Sequence, residues 1–297
     1  MTKESILYKK LDNKAVQCQT CCHYCLLKLG EQGRCQMRVN ENGRLVVLNY
    51  GQTTGIAIDP IEKKPLYHFL PDSYTLSFGT LGCNFQCQHC QNFFYSQVAK
   101  DDEKMKVFQA QKIEVVTPEQ IVAVAMENKL PSISYTYNEP TIFLEYAFDT
   151  MKLAHKNGLK NIWVTNGFMS RETLELIAPY LDAANVDLKA YSEKFYQEIC
   201  GAHLQPVLDN LIRIKKLGIH LEVTTLIIPG KNDSPEELRQ VAEFIAKELG
   251  TETPWHVSAF YPTYQMTDVP PTPREKILEA EKIGREAGLQ WVHGGNI

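Results

Sequence analysis

From residue 74 onward, runs of apolar and β-branched residues alternate with amphipathic stretches of helical period, and this alternation constrains the fold more than any other feature of the chain. A parallel sheet built from βα units needs that rhythm, because each strand must be covered by the helix that follows it. Six units are legible, with strands at 74–82, 132–138, 161–167, 183–190, 220–230 and 255–262, and a last apolar run, LQWVHGG, is placed to close an edge. Helix ends are marked too. Thr117-Pro118 with Gln120 and Ser234-Pro235 with Glu237 have the form of N-terminal capping boxes, and Gly158 and Gly250 sit where C-caps belong. A full eight-unit barrel takes ~250 residues and roughly 220 are left here. The expected fold is therefore α/β, a partial (β/α)6 TIM-like barrel with a wide mouth.

Residues 1–72 lack this rhythm: they are Cys-rich from 18 to 35, turn in a hairpin at Asn42-Gly43 and continue as DPIEKKPLYHF. The chain thus divides into a Cys-rich N-terminal module, 1–72, and a barrel, 73–297. The charged stretch Lys100–Lys106 reads as a solvated loop. With 31 Lys and Arg against 35 Asp and Glu, the net charge is −4 and no segment concentrates cations. That excludes the electrostatic footprint of a nucleic-acid binder or of a protein held on an anionic membrane, and leaves a small molecule or a protein as partner. The N-terminal MTKESILYKKLDNK has no apolar signal core, and no run of about 18 apolar residues occurs, so a cytoplasmic location is expected. In that reducing compartment nine cysteines point to metal or cluster ligation rather than disulfides.

Directly after the first barrel strand comes Gly82-Cys83-Asn84-Phe85-Gln86-Cys87-Gln88-His89-Cys90, a C-x3-C-x2-C loop with no fourth cysteine close by. A structural zinc site wants four ligands, whereas a 4Fe-4S cubane held by three thiolates keeps one iron open for an outside ligand. A zinc knuckle completed by His89 or a remote cysteine is the alternative. The loop GCNFQCQHCQN resembles the radical S-adenosylmethionine (SAM) signature, in which the residue before the third cysteine is aromatic and lies near adenine; His89 holds that position. Downstream, YTYNEP, VTNG, NVDLKA, TTLIIPG and WHVSAFYP resemble, in order and spacing, motifs of the glycyl-radical-enzyme activases, pyruvate formate-lyase activating enzyme among them. The N-terminal C-x2-C-x3-C-x9-C, the segment DPIEKKPLYHFLP and the closing VHGGNI are similar to the narrower radical SAM family of the AmmeMemoRadiSam system. Members of that family commonly run on past the Gly-Asn with a tail bearing another cysteine pair; this sequence stops at Ile297, and no role for such a tail is expected here.

The resemblance implies an enzyme whose cluster, at Cys83, Cys87 and Cys90, reductively cleaves SAM to methionine and a 5′-deoxyadenosyl radical that takes a hydrogen atom from substrate. It implies flavodoxin or ferredoxin as electron donor, and as further partner a Memo-like protein or a glycyl radical enzyme. Activation of a glycyl radical enzyme is one alternative function, and a non-catalytic metal- or cluster-binding protein, tolerant of changes at Glu139 and Lys189, is another.

For SAM, the strand ends at the C-terminal face of the barrel are where polar groups should gather. Strand two alternates Ser134, Thr136 and Asn138 with Ile133, Tyr135 and Tyr137, which reads as a polar lumen against an apolar outside. Asn138-Glu139 stands where the resemblance places the acceptors for the SAM ammonium. Asp187 and Lys189, two apart, share a face: the lysine meets the SAM carboxylate while the aspartate orients it or the ribose, or the two form a lumen salt bridge without a ligand. Thr165 and Asn166, with Gly167, reach the ribose or carboxylate or make a plain turn. Ile228-Pro229-Gly230, as in similar proteins, offers backbone hydrogen bonds and an apolar wall for adenine. His256 faces the lumen with Ser258 and Phe260 and touches SAM or substrate, unless it is a satisfied core histidine.

Cys18, Cys21, Cys25 and Cys35 form a closed set of four, with Cys22 and His23 as spares. Zinc, an auxiliary iron-sulfur cluster or no metal are all open, with zinc slightly favoured because a short module gains folding energy from it. Well-known activases carry their extra cysteines after the radical motif, so their activity does not transfer directly. Cys200 is expected to pack rather than donate hydrogen. Tyr67 and His68 either cover the barrel mouth or dock the N-terminal module.

Overall fold

The computed structural model describes residues 2–101 and 115–297, so that most of the expected Lys100–Lys106 loop lies outside the described residues. The first part of the chain makes two three-stranded antiparallel sheets. One joins β1 (Lys3–Glu4), β6 (Arg44–Val47) and β5 (Arg38–Glu41); the other joins β2 (Tyr8–Lys10), β3 (Val16–Cys18) and β4 (Leu26–Leu27). β5 and β6 meet in the expected hairpin, where Asn42 and Gly43 both take positive φ, 55° and 83°, as a tight two-residue turn requires.

The barrel sheet has eight strands in chain order: β7 (Gly55–Pro60), β8 (Tyr74–Gly79), β9 (Ser132–Tyr135), β10 (Lys160–Thr165), β11 (Ala183–Asp187), β12 (His220–Ile227), β13 (Trp255–Ala259) and β14 (Val292–Gly295). From β8 to β14 every pairing is parallel. The six expected βα strands are all present and the final run does form an edge strand. The chain nevertheless enters this sheet before residue 73, because β7 pairs antiparallel with β8 from Gly55↔Gly79 to Pro60↔Tyr74. That strand escapes sequence pattern: Ile56 and Ile58 are exposed on the outer face of an edge and Asp59 is buried, the reverse of an ordinary half-buried strand.

Helices α1 (Phe93–Ser96), α2 (Pro118–Glu127), α3 (Leu144–Lys156), α4 (Arg171–Ile177), α5 (Leu204–Lys216), α6 (Pro235–Phe244) and α7 (Arg274–Glu286) connect the strands. The capping box of α2 is complete, with the Gln120 N–H donating to Thr117 Oγ1 and the Thr117 N–H donating to Gln120 Oε1 at 2.8 Å. At α6 only half of it forms. Ser234 caps the Glu237 N–H, but the Glu237 carboxylate accepts instead from the Tyr191 N–H of a neighbouring loop at 3.0 Å. Gly158, at φ 77°, ends the turn after α3 as a C-cap.

The strands are shorter than their apolar runs suggest. Positive φ at Gly82, Tyr137, Gly167 and Gly230 breaks them early, and the residues released become the loops over the C-terminal edge. At the opposite end, the segment between β7 and β8 closes the lumen: Asn185 Nδ2 donates to Pro65 O at 2.8 Å, and the Tyr67 and His68 N–H groups donate to the buried Glu222 carboxylate at 3.0 and 2.8 Å. Tyr67 and His68 therefore belong to the floor of the barrel, not to its mouth. The N-terminal sheets dock on the outside through Cys22 N to Phe168 O, Ser170 N to Thr20 O, and a buried ion pair between Arg38 and Glu145 of α3 at 2.7 Å.

Candidate active site

The cysteine loop begins at Gly82, whose φ of 89° only glycine adopts freely and where a Cβ would stand 2.9 Å from Cys35 O. The Phe85 N–H donates to Cys83 Sγ at 3.4 Å, and the Gln86 and Gln88 N–H groups donate to Cys200 O and Ile199 O at 2.8 and 3.1 Å. The loop is thus strapped to the turn Tyr196–Cys200, and Cys200 itself is fully buried beside Cys87, packing as expected. Cys83, Cys87 and Cys90 all line one lumen cavity of ≈ 740 Å³. Burial pushes the Cys83 and Cys90 thiols up; at Cys87 the hydrogen bond with Cys200 does so first and burial second. Three thiols whose deprotonation burial disfavours gain from a supplied cation, which fits an iron-sulfur cluster.

Glu139, 1% exposed, lines the same cavity and has no cation paired with it among the described residues. Its carboxylate accepts from the Thr141 N–H at 3.0 Å, Thr165 Oγ1 at 2.8 Å and the Asn166 N–H at 2.7 Å, yet burial still raises its carboxyl above the usual range. Such a group gains from an arriving ammonium. Thr165 and Asn166 act through it, and Asn166 Nδ2 also donates to Asn84 Oδ1 at 2.7 Å within the cysteine loop. Asn138 lines the cavity, but its amide is engaged by the same loop: Oδ1 accepts from the Thr80 N–H at 3.1 Å and Nδ2 donates to Gly82 O at 2.8 Å. It braces the loop.

Lys189 Nζ and Asp187 Oδ2 lie 3.0 Å apart in the lumen, two residues apart on one face as the sequence indicates. Burial works against the Lys189 charge, but Asp187 and then Cys87 hold its ammonium well above the ordinary lysine range. His89 also lines the cavity. Burial, then the Lys189 charge, brings its imidazole down to about 3, and its Nδ1 is a buried atom with no hydrogen-bond partner among the described residues.

One expected contact is placed elsewhere, and another lies deep in the same cavity. Ile228 is fully buried, its N–H donates to Asn232 Oδ1 at 2.7 Å, and it does not line the cavity. An Asn four residues on takes the backbone group that was to serve adenine. His256 does face the lumen with Ser258, while Phe260 is turned into the core. His256 is the second residue of β13, about 10 Å below the strand's C-terminal end at ~3.3 Å per residue, and its Nε2–H donates to Glu222 Oε2 at 2.6 Å.

That pair belongs to a polar floor which sequence reasoning missed. Burial opposes ionisation of Glu222, but His220, His256 and the Tyr67 and His68 N–H groups bring it down to about 2. His293 Nε2 lies 2.9 Å from His68 Nε2, and the His256 and His293 rings stack at 5.2 Å. Across the lumen, Lys64 Nζ meets Asp59 Oδ2 at 2.7 Å under the Tyr137 ring. One signal was available: Glu222 is a lone carboxylate inside the apolar strand HLEVTTLI. Histidines from four separate segments carry no such mark.

The model of the radical SAM superfamily matches residues 78–245, which run from the end of β8 to the turn after α6 and take in the cysteine loop, Glu139 and Lys189. The chain belongs to the radical SAM superfamily. An uncharacterised protein of Methanocaldococcus jannaschii is 44% identical over 99% of this chain and 85% of its own length. The pyruvate formate-lyase-activating enzyme of Clostridium pasteurianum is 21% identical over 69% of this chain and 87% of that one. Among solved structures, a radical SAM methyltransferase from Sphaerobacter thermophilus superposes with a TM-score of 0.57 at 17% identity, covering 77% of this chain and 68% of that one, a likeness of fold. This radical SAM protein is therefore an enzyme, and membership implies a 4Fe-4S cluster and SAM as its cofactors, a requirement the three cavity thiols, the cation-free Glu139 and the Lys189–Asp187 pair fit. Among the described residues no helix is long and apolar enough to cross a membrane.

Proposed function

We propose that Cys83, Cys87 and Cys90 hold the cluster, that Glu139 receives the SAM ammonium, and that Lys189, steadied by Asp187, receives its carboxylate. The observation that carries this reading is the convergence of all six side chains on one ≈ 740 Å³ cavity, with the only unpaired buried carboxylate among them at Glu139. Bound there, the cluster supplies the electron that releases a 5′-deoxyadenosyl radical from SAM. The chain's own residues do the rest. Asn138 and Asn166 fix the cysteine loop against the ends of β9 and β10, Thr165 and the Asn166 N–H aim the Glu139 carboxylate, and neutral His89 offers its Nδ1, without a partner among the described residues, beside the third cysteine.

The substrate is a small molecule held below SAM, within the AmmeMemoRadiSam system, with flavodoxin or ferredoxin as reductant and a Memo-like protein as partner. The floor supports this: the cavity continues past the SAM-binding groups to Thr224, His256, Ser258 and His293, polar groups that have no task in binding SAM. A glycyl radical enzyme is the second reading of the partner, favoured by the likeness to the activating enzyme of C. pasteurianum. A second metal at Cys18, Cys21, Cys25 and Cys35, zinc or an auxiliary cluster, belongs to the same proposal.

The test is anaerobic reconstitution with iron and sulfide, reduction in the presence of SAM, and quantification of 5′-deoxyadenosine. The native chain should produce it and Cys87→Ala should fall to background. A native chain that binds a cluster but yields none, with chemical reductant or with flavodoxin, would favour a non-catalytic cluster protein.

A further inference from the structure

Outside the lumen, a second set of cysteines converges, two of them buried and two half-buried. Cys18 at the end of β3, Cys21 and Cys25 in the turn before β4, and Cys35 ahead of β5 line one closed void of ≈ 10 Å³ together with Arg38. A Cβ added at Gly33 would stand 3.8 Å from Cys25 Sγ and 3.9 Å from Cys35 Sγ, so those two sulfurs share one face of the void. The backbone N–H groups of His23, Arg34 and Met37 stand close to Cys21, Cys25 and Cys35 respectively. Two of these groups lie two residues after their cysteine, within a tight turn. The spare candidates are turned elsewhere: Cys22 Sγ donates to Met169 O, and His23 Nε2 contacts Asn84 O at 2.9 Å.

Arg38 supplies an independent observation. It is 2% exposed, and its Nη1 and Nη2 groups donate to Ser5 Oγ, to both Glu145 oxygens and to Ile142 O. Its Nε is buried and has no hydrogen-bond partner among the described residues. A guanidinium N–H left unsatisfied at the wall of a four-cysteine void is costly unless the sulfurs carry negative charge.

We propose that Cys18, Cys21, Cys25 and Cys35 bind one zinc ion as a closed four-thiolate site, with Arg38 Nε–H donating to a bound sulfur, and that this ion fixes the turns on which the Cys83 loop rests. The void has the volume of a single ion rather than of a cubane, and four thiolates with no open position make a structural site. Among the described residues no three such ligands already stand in a closed shell, and that is equally true of the Cys83 trio. Closing the site requires the cysteine side chains to rotate on these turns. The coupling to the lumen is steric: Cys35 O and Met37 press on Gly82, and His23 holds Asn84 O, so residues 82–84 are seated on the metal-bearing turns.

This inference sharpens the second-metal part of the proposed function and is tested without radical chemistry. The full chain carrying Cys83→Ala, Cys87→Ala and Cys90→Ala together, which has lost the lumen thiols, is expressed with zinc, and its metal content and zinc-edge X-ray absorption are measured. About one zinc per chain in an all-sulfur shell at ~2.3 Å is expected. Arg38→Lys, which keeps a cation but lacks Nε–H, should release zinc to a chelator about tenfold faster, as loss of one charge-assisted hydrogen bond implies; unchanged release would remove Arg38 from the site. No zinc in the triple variant, or an iron-sulfur absorbance after its reconstitution with iron and sulfide, would overturn the proposal. Neither result depends on whether the native chain cleaves SAM.

Discussion

Two regions of this molecule bury cysteines, and they do so in opposite ways. The lumen loop offers three thiols from nine consecutive residues to a large cavity, beside a carboxylate and an ion pair that the fold leaves facing inward. The N-terminal set draws four thiols from a longer stretch around a void barely larger than an ion, beside a guanidinium already tied to Glu145. An incomplete ligand set in an open cavity is the arrangement for a reacting site; a complete set in a sealed one is the arrangement for a staple. Burial and residue type are shared between them. What separates them is how much room and how many unsatisfied partners the surrounding elements leave.

That contrast is open to direct attack. The largest effect should come from Glu145→Ala, which strands the Arg38 guanidinium in the sealed region: breaking a buried pair by removing one partner costs about 3–5 kcal/mol, read as lowered stability in denaturant unfolding. The Lys189–Asp187 pair, whose aspartate is 35% exposed to the lumen, should give a much smaller loss in the same measurement when Asp187 is changed to Asn. Equal losses would mean that the lumen is as sealed as the staple.

Next in size is the pH response of the floor. Because the folded state holds Glu222 near 2, below an ordinary carboxyl, its contribution is fully present above about pH 4.3 and is lost as pH falls toward 2. The contribution amounts to about 3 kcal/mol at most, and Glu222→Gln should flatten the stability profile across that window while lowering stability above it. A variant that loses stability with pH as steeply as the native chain would remove the floor histidines from this account.

The smallest expected effect concerns the open site alone. Glu139→Gln preserves shape and removes charge, so the dissociation constant for SAM, measured by anaerobic calorimetry on reconstituted protein, should rise about 10- to 100-fold. Cluster content should stay unchanged. An unaltered constant would assign the SAM ammonium to another acceptor.

Much of the barrel was legible because each of its strands makes its pattern locally: the six βα strands and the two helix starts depend on residues a few positions apart. The cysteine loop was legible for the same reason, since three ligands within eight positions form one motif. β7 was not, because an edge strand with its isoleucines outward shows no apolar period. The partners of Ile228, Asn138 and His256 were not legible, because a backbone N–H, an amide or an imidazole reveals its partner only once the strands are side by side.

By itself, then, the sequence determined a parallel βα barrel, a three-thiol loop over its first strand and a second, four-cysteine set ahead of it, all of which follow from short-range spacing. The tertiary structure alone decided that the segment 61–73 seals the lumen, that His68, Glu222, His256 and His293 meet there, and that Arg38 stands over the N-terminal thiols with one N–H unpaired. These are contacts between residues tens to hundreds of positions apart, and no local pattern encodes them. They arise because closing the sheet brings distant strand ends to one axis, where buried polar groups must find one another or remain unsatisfied.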